Sequence, residues 1–130
     1  MCREILVVDD SDTTLALMDL LLTRRGFTVL KASNAHQALD VLNETTPDLI
    51  IVDLMMPGMD GIELCRMIRA HAQTVDIPVI IQSVRFEAQL KQLGLAAGAN
   101  AYVSKLMRPR DLVNKIEQLL NLGARKDLVQ

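Results

Sequence analysis

Five short apolar runs, EILVV (4–8), FTVL (27–30), LIIV (49–52), PVII (78–81) and AYV (101–103), recur along this chain with longer segments of helical period between them. Each run is too short for a helix and too continuously apolar for a strand with one wet face. The alternation therefore predicts buried parallel strands joined by crossover helices. Right-handed crossovers cover both faces of such a sheet. The expected class is α/β, a doubly wound five-stranded parallel sheet, commonly ordered 2-1-3-4-5. Ligands then bind beyond the carboxyl ends of strands 1 and 3, where the winding reverses.

Boundary signals agree with this outline. Asp60 with Glu63 and Asn34 with Gln37 read as helix N-terminal capping pairs, Gly26 and Gly98 as helix stops, and Pro57-Gly58 as a turn. In the last helical segment Leu112, Val113, Ile116, Leu119 and Leu120 form one apolar stripe. From Gly123 the chain reads GARKDLVQ, polar and without period, which suggests one domain over 1–122 and a tail or linker start over 123–130. A chain of 130 residues, half of them apolar, suffices for a single core. The net charge of −2 and the lack of a Lys/Arg cluster argue against nucleic-acid or membrane-surface partners. Cys2 and Cys65 make neither a disulfide framework nor a zinc spacing, and both read as free thiols. With no targeting segment and no apolar run of membrane-spanning length, the expected location is cytoplasmic.

The chemistry gathers where the strands end. Asp9 and Asp10 follow strand 1, Asp53 ends strand 3, Ser83 follows strand 4 and Lys105 follows strand 5. Three carboxylates at one sheet edge repel one another unless a cation neutralises them. Oxygen ligands favour a hard ion, magnesium or manganese, and magnesium is often completed by a phosphoryl oxygen. A carboxylate can itself be a nucleophile toward phosphorus, and catalysis there is mostly positioning and charge neutralisation. In this reading Asp53 accepts the phosphoryl group, Asp9 and Asp10 hold the metal, and Ser83 and Lys105 contact phosphoryl oxygens.

The segments VVDDS (7–11), VDLMMPGMDG (52–61), PVIIQS (78–83) and GANAYVSK (98–105) together resemble the receiver domain of two-component response regulators, in family order and spacing from residue 3 to about 122. The resemblance implies the flavodoxin-like form of this fold and a phosphoaccepting Asp53. It also implies a metal site of Asp10, Asp9, Asp53 and the Met55 backbone carbonyl, and switch roles for Ser83 and Tyr102. Met55 and Arg85 fall where the family tunes the lifetime of the acyl phosphate. The implied partners are a histidine kinase or phosphotransfer protein as donor and a downstream protein on the surface of helix 4, strand 5 and helix 5. A homodimer is left open. Such a domain promotes its own phosphorylation and slow dephosphorylation and is not a turnover enzyme.

Plainer readings exist for each residue. Ser83 alone reads as a helix cap, Lys105 as a surface lysine and Tyr102 as a half-buried strand residue whose hydroxyl meets water. Met55, Met56 and Met59 read as loop packing, because thioethers are soft ligands. Neither His36 nor His71 has a catalytic partner pattern. Two rivals differ in function. Asp10-Ser11-Asp12-Thr13-Thr14 also fits the DxDxT opening of haloacid-dehalogenase-type phosphohydrolases, with Asp10 as nucleophile. A pseudo-receiver would keep the fold as an interaction module without phosphorylation. The family pattern is broken by Leu106 where proline usually follows the lysine, by Val84 where a small residue usually follows the hydroxyl, and by Ala35 and Gln37 in the second helix. Without proline a cis bond costs about 3 to 4 kcal/mol. A trans Lys105-Leu106 bond is therefore expected, with Lys105 still directed at Asp53.

Overall fold

The computed structural model describes the backbone of residues 3–129 and the side chains of residues 3–121; Cys2 and Gln130 lie outside the described residues. Ten elements alternate: β1 Glu4–Val8, α1 Asp12–Arg24, β2 Thr28–Ala32, α2 Ala35–Glu44, β3 Leu49–Asp53, α3 Gly61–Ala70, β4 Val79–Ser83, α4 Ala88–Ala96, β5 Ala101–Ser104 and α5 Pro109–Val129. The strands form one parallel sheet in the order β2-β1-β3-β4-β5. No helix of the described residues is long and apolar enough to cross a membrane.

Strand side chains alternate between two cores, as the two-residue period of a strand requires. Ile5, Val7, Leu49, Ile51, Ile80, Ala101 and Val103 face α1 and α5. Their neighbours Leu6, Val8, Ile50, Val52, Val79, Ile81 and Tyr102 face α2, α3 and α4. β1 and β3 are buried throughout apart from Glu4, which matches their apolar runs. β2, at the edge, is half-exposed and runs from Thr28 to Ala32, later than the FTVL run suggests. Phe27 packs instead beneath α1 and α5, and its N–H donates to Leu22 O at 3.1 Å as the helix ends.

The caps follow the sequence signals. Asp60 Oδ1 accepts from Glu63 N at 2.9 Å, and Asn34 Oδ1 accepts from Gln37 N at 2.8 Å. The reciprocal bond of the second cap shifts by one residue, with Ser33 N–H donating to Gln37 Oε1 at 2.7 Å. Gly26, Gly58 and Gly98 take positive φ, as expected for two helix stops and a turn. The backbone of α5 continues as helix through Val129, so the segment from Gly123 is regular rather than patternless; Ala, Arg, Lys and Leu are all good helix formers.

One side chain ties the loops at the far end of the sheet together. Arg69, in the last turn of α3, donates from Nε to Gly98 O (2.9 Å), from Nη1 to Val75 O (3.1 Å) and Ile77 O (2.7 Å), and from Nη2 to Asn100 Oδ1 (2.8 Å). Asn100 Oδ1 also accepts from Val79 N at 2.9 Å, so α3, the start of β4 and the α4–β5 loop share one guanidinium. Replacing Arg69 by Met leaves several carbonyls without a donor. We expect a loss of about 2 to 4 kcal/mol, read as a lower urea midpoint at unchanged slope; a midpoint equal to wild type would show that water replaces these bonds freely.

Candidate functional site

In the shared register Val8 lies level with Val52, Ile81 and Tyr102; β1 ends there, β3 runs one residue further to Asp53, and β4 and β5 two residues further to Ser83 and Ser104. Each strand then releases its polar residue at the same edge. Asp9 and Asp53 are buried, Asp10 is exposed, and each offers a carboxylate oxygen within 4.8 Å of the other two. Lys105 reaches across from the end of β5, with Nζ at 2.8 Å from Asp9 Oδ2 and 3.2 Å from Asp53 Oδ2. Four of the residues expected at the site, Asp9, Asp10, Asp53 and Lys105, are thus brought together.

Local bonds orient the acids. Asp9 Oδ1 accepts from Ser11 N at 2.9 Å, and Asp53 Oδ1 accepts from Met55 N at 3.3 Å. Ser11 also caps α1 through Thr14 N, which gives the DxDxT spacing a structural purpose: its serine caps and its threonines are already helical. α3 starts with Gly61, whose added Cβ would lie 2.6 Å from Asp53 O and 3.0 Å from Leu54 Cα. Only glycine lets the helix begin this close to the end of β3. In the sequence the start of α3 is marked by Asp60 and Glu63 as a capping pair, and Gly61 between them is the residue that the close approach requires.

Two acids compete for one ammonium. Burial, and then the charge of Asp9, raise the Asp53 carboxyl above its ordinary 3.8, against the opposing pull of Lys105 and the Met55 N–H. For Lys105, burial lowers the pKa, but the Asp9 hydrogen bond and the charges of Asp53 and Asp9 outweigh it and hold the ammonium above its ordinary value. The site carries a negative excess that a divalent cation fits. The donor set is all oxygen, and magnesium ordinarily takes one or two carboxylates and keeps waters.

The remaining expected residues surround this centre. Ser83 is fully buried and its Oγ accepts from Arg85 N at 2.9 Å, so it does not cap α4, whose N-cap is Glu87. A serine oxygen that accepts one bond still has a proton to donate. Tyr102 is buried rather than half-buried: its hydroxyl donates to Arg85 O at 2.7 Å, and its ring meets Phe86 edge-on at 5.5 Å. The Arg85 guanidinium lies on Glu87 at 3.1 Å. Met55 and Val84 are exposed, and Leu106 is 86% exposed. No cis peptide bond occurs among the described residues, so the Lys105-Leu106 bond is trans. Lys105 N donates to Ser83 O at 2.9 Å, and Leu106 N to Ser104 Oγ at 3.0 Å; these bonds fix the loop where the family pattern has proline. His36, on the wall of the groove that Asp10 also lines, is 3.9 Å from Asp40, and a ring nitrogen of His71 bonds Met67 O at the end of α3. Cys65 is a buried free thiol whose Sγ lies 3.6 Å from Ala97 O. A groove of about 460 Å³ opens beside Asp10, between the start of α2 and the Pro57–Met59 turn.

Comparison with known proteins shows the family and the fold. The family model of the response regulator receiver domain matches residues 5–117. The chain belongs to the response regulator receiver family. It is 38% identical over 118 residues to the phosphate regulon transcriptional regulatory protein PhoB of Pseudomonas aeruginosa, a match covering 91% of this chain and 52% of that protein. It is 35% identical over 120 residues to the DNA-binding response regulator MtrA of Mycolicibacterium smegmatis, covering 92% and 51%. The chain thus spans about half the length of these curated relatives. Among solved structures, a putative response regulator from Chloroflexus aurantiacus superposes with a TM-score of 0.89 at 32% identity, covering 93% of this chain and 99% of that one. The Vibrio cholerae chemotaxis protein CheY4 superposes with 0.88 at 27% identity, covering 92% and 99%. Receiver domains of response regulators are two-component signalling modules rather than turnover enzymes, and this membership removes the phosphohydrolase reading of Asp10.

The raised Asp53 carboxyl has a consequence for stability. Its folded value lies above its unfolded one, so the folded state holds the proton more tightly and stability falls as pH rises from the ordinary 3.8 through the folded value. Asp53→Asn lacks this decline and leaves the Asp9–Lys105 pair in place. In chelator, the variant should match wild type near pH 3 and melt progressively higher than wild type above about pH 4. An offset constant across the pH range would contradict the strained carboxylate.

Proposed function

We propose that this chain is a phosphoacceptor switch in which Asp53 takes a phosphoryl group from a phosphohistidine of a kinase or relay protein. The observation that carries the reading is the Lys105 ammonium held between Asp9 and Asp53, with Asp10 at the open side. In the transfer an Asp53 carboxylate oxygen bonds to phosphorus, the nitrogen–phosphorus bond of the donor breaks, and the imidazole leaves with that electron pair. Asp9 and Asp10, with the Asp53 carboxylate and the Met55 carbonyl, would hold magnesium or manganese. Bound there, the ion neutralises phosphoryl oxygens and offsets the charge of the three acids. Lys105 compensates a further oxygen, and the Ser83 hydroxyl donates to another while accepting from Arg85 N–H.

The output is a change in surface. Ser83 and Tyr102 grip the N–H and the carbonyl of Arg85 respectively, so the state of the phosphoryl group reaches the β4–α4 loop through that residue. Phe86, Leu93, Leu95 and Leu106 are exposed nearby, which supports a downstream protein or a second copy of the chain binding over α4, β5 and α5. A cytoplasmic setting suits a kinase partner. An unphosphorylated interaction module remains the second reading, favoured by Val84 and Leu106.

Magnesium with a small phosphodonor such as acetyl phosphate should add one phosphoryl group to wild type and none to Asp53→Asn, read as intact mass. Labelling of that variant at one group per chain would sink the assignment, and failure of wild type to label would favour the interaction module. Magnesium should raise the melting temperature of wild type and not of Asp10→Asn, since binding to the folded state alone stabilises it. The second expectation concerns lifetime. Met55 is exposed two residues beyond Asp53, and Arg85 is anchored to Glu87, so Met55→Asn should change the dephosphorylation rate while Glu87→Ala should free Arg85 to change it too. Rates equal to wild type in both variants would make these residues bystanders.

A further inference from the structure

α4 meets the sheet differently from its neighbour α3. α3 buries Ile62, Leu64, Cys65 and Ile68 as well as its first glycine, whereas the buried residue of α4 is Gly94, with Leu90 only partly covered. A Cβ at Gly94 would fall 3.1 Å from Tyr102 Cδ2 and 3.1 Å from Ile81 Cδ1, with Tyr102 Cε2 at 3.7 Å. Carbon atoms pack best at about 3.5 to 4 Å, so no methyl fits without displacement. The backbone of α4 therefore rests directly on the tyrosine ring. Glycine is a poor residue for a helix interior, and its neighbours Leu93 and Leu95 face solvent, so helix propensity does not account for it.

The ring on which α4 rests is itself tied to the site. Its hydroxyl donates to Arg85 O at 2.7 Å, Arg85 N donates to Ser83 Oγ at 2.9 Å, and Phe86 packs on its edge. We propose that Gly94 is a positioning residue, the seat through which the Tyr102 ring sets the placement of α4, so that movement of the ring is passed to the outer face of the helix. Its signalling meaning rests on the phosphoacceptor reading; the packing claim does not. Ile81 Cδ1 is the end of a flexible side chain and can turn aside once the ring is gone, so the ring is the obstacle that decides the outcome.

The test is a set of thermal melts of the whole chain. Gly94→Ala should lower the melting temperature in wild type and in Tyr102→Phe, which keeps the ring. In Tyr102→Ala it should raise it by about 3 to 5 °C, the gain of alanine over glycine in an unobstructed helix. The same shift in all three backgrounds overturns the proposal. A second measurement does not need Tyr102→Ala to fold. Tyr102 is the chain's single tyrosine and there is no tryptophan, so its fluorescence reports this site alone. In Gly94→Ala either acrylamide quenching of Tyr102 or amide hydrogen exchange over Ala88–Ala96 should rise, because ring or helix must yield. No change in both overturns the proposal. None of these readouts uses phosphorylation, so their failure leaves the labelling of Asp53 untouched, and failure of labelling leaves them untouched.

Discussion

A single ammonium between two buried carboxylates is the interaction on which this end of the molecule depends. Asp9 is 2% exposed and Asp53 5%, so both have left most of their water. Removing the lysine would strand both acids, at a cost of about 3 to 5 kcal/mol, so the geometry must be held closely. The sheet does the holding. β1 and β3 have to bring Asp9 and Asp53 side by side within reach of one lysine beyond β5, and the parallel register, with Lys105 N on Ser83 O, provides it. Even so the balance is incomplete, since the exposed Asp10 adds a third acid against one cation.

What could be read from the sequence divides along a physical line. Features written in consecutive residues were legible: the strands in their apolar runs, the Asn34 and Asp60 caps, the positive φ of Gly26, Gly58 and Gly98, and the alignment of Asp9, Asp10, Asp53 and Lys105 at strand ends. β2 was misplaced by a residue because Phe27, apolar and adjacent, serves the core under α1 rather than the strand. The continuation of α5 was missed because propensity without an apolar stripe leaves no period to detect. Features that depend on distant partners left no local mark. Arg69 looks like any helix-end cation until the carbonyls of Val75, Ile77 and Gly98 come round it, and Tyr102 looks half-wet until Arg85 O is placed over its hydroxyl.

Rigidity is unevenly distributed around the sheet. α1, α3 and α5 each bury several large side chains, and Arg69 locks the end of α3 to the loops on either side of β4 and α4. α4 has Gly94 and a partly covered Leu90. Elements with few buried apolar contacts open at lower free energy than the rest of a fold. The helix next to the candidate switch residues is thus the one held least by its own side chains, and its placement falls to the ring beneath it.

The arrangement of the β4–α4 loop also limits how a signal can act on it. In this structure Tyr102 is already buried, with its hydroxyl on Arg85 O, and Ser83 Oγ already accepts from Arg85 N. On the proposed reading, a phosphoryl oxygen needs only the Ser83 proton, and none of these bonds has to break when it is given. A ligand shifts a conformational equilibrium only by its differential affinity for the two states. On that reading the phosphoryl group would act by favouring the loop conformation seen here over one with Tyr102 released, to the extent that it binds the two differently.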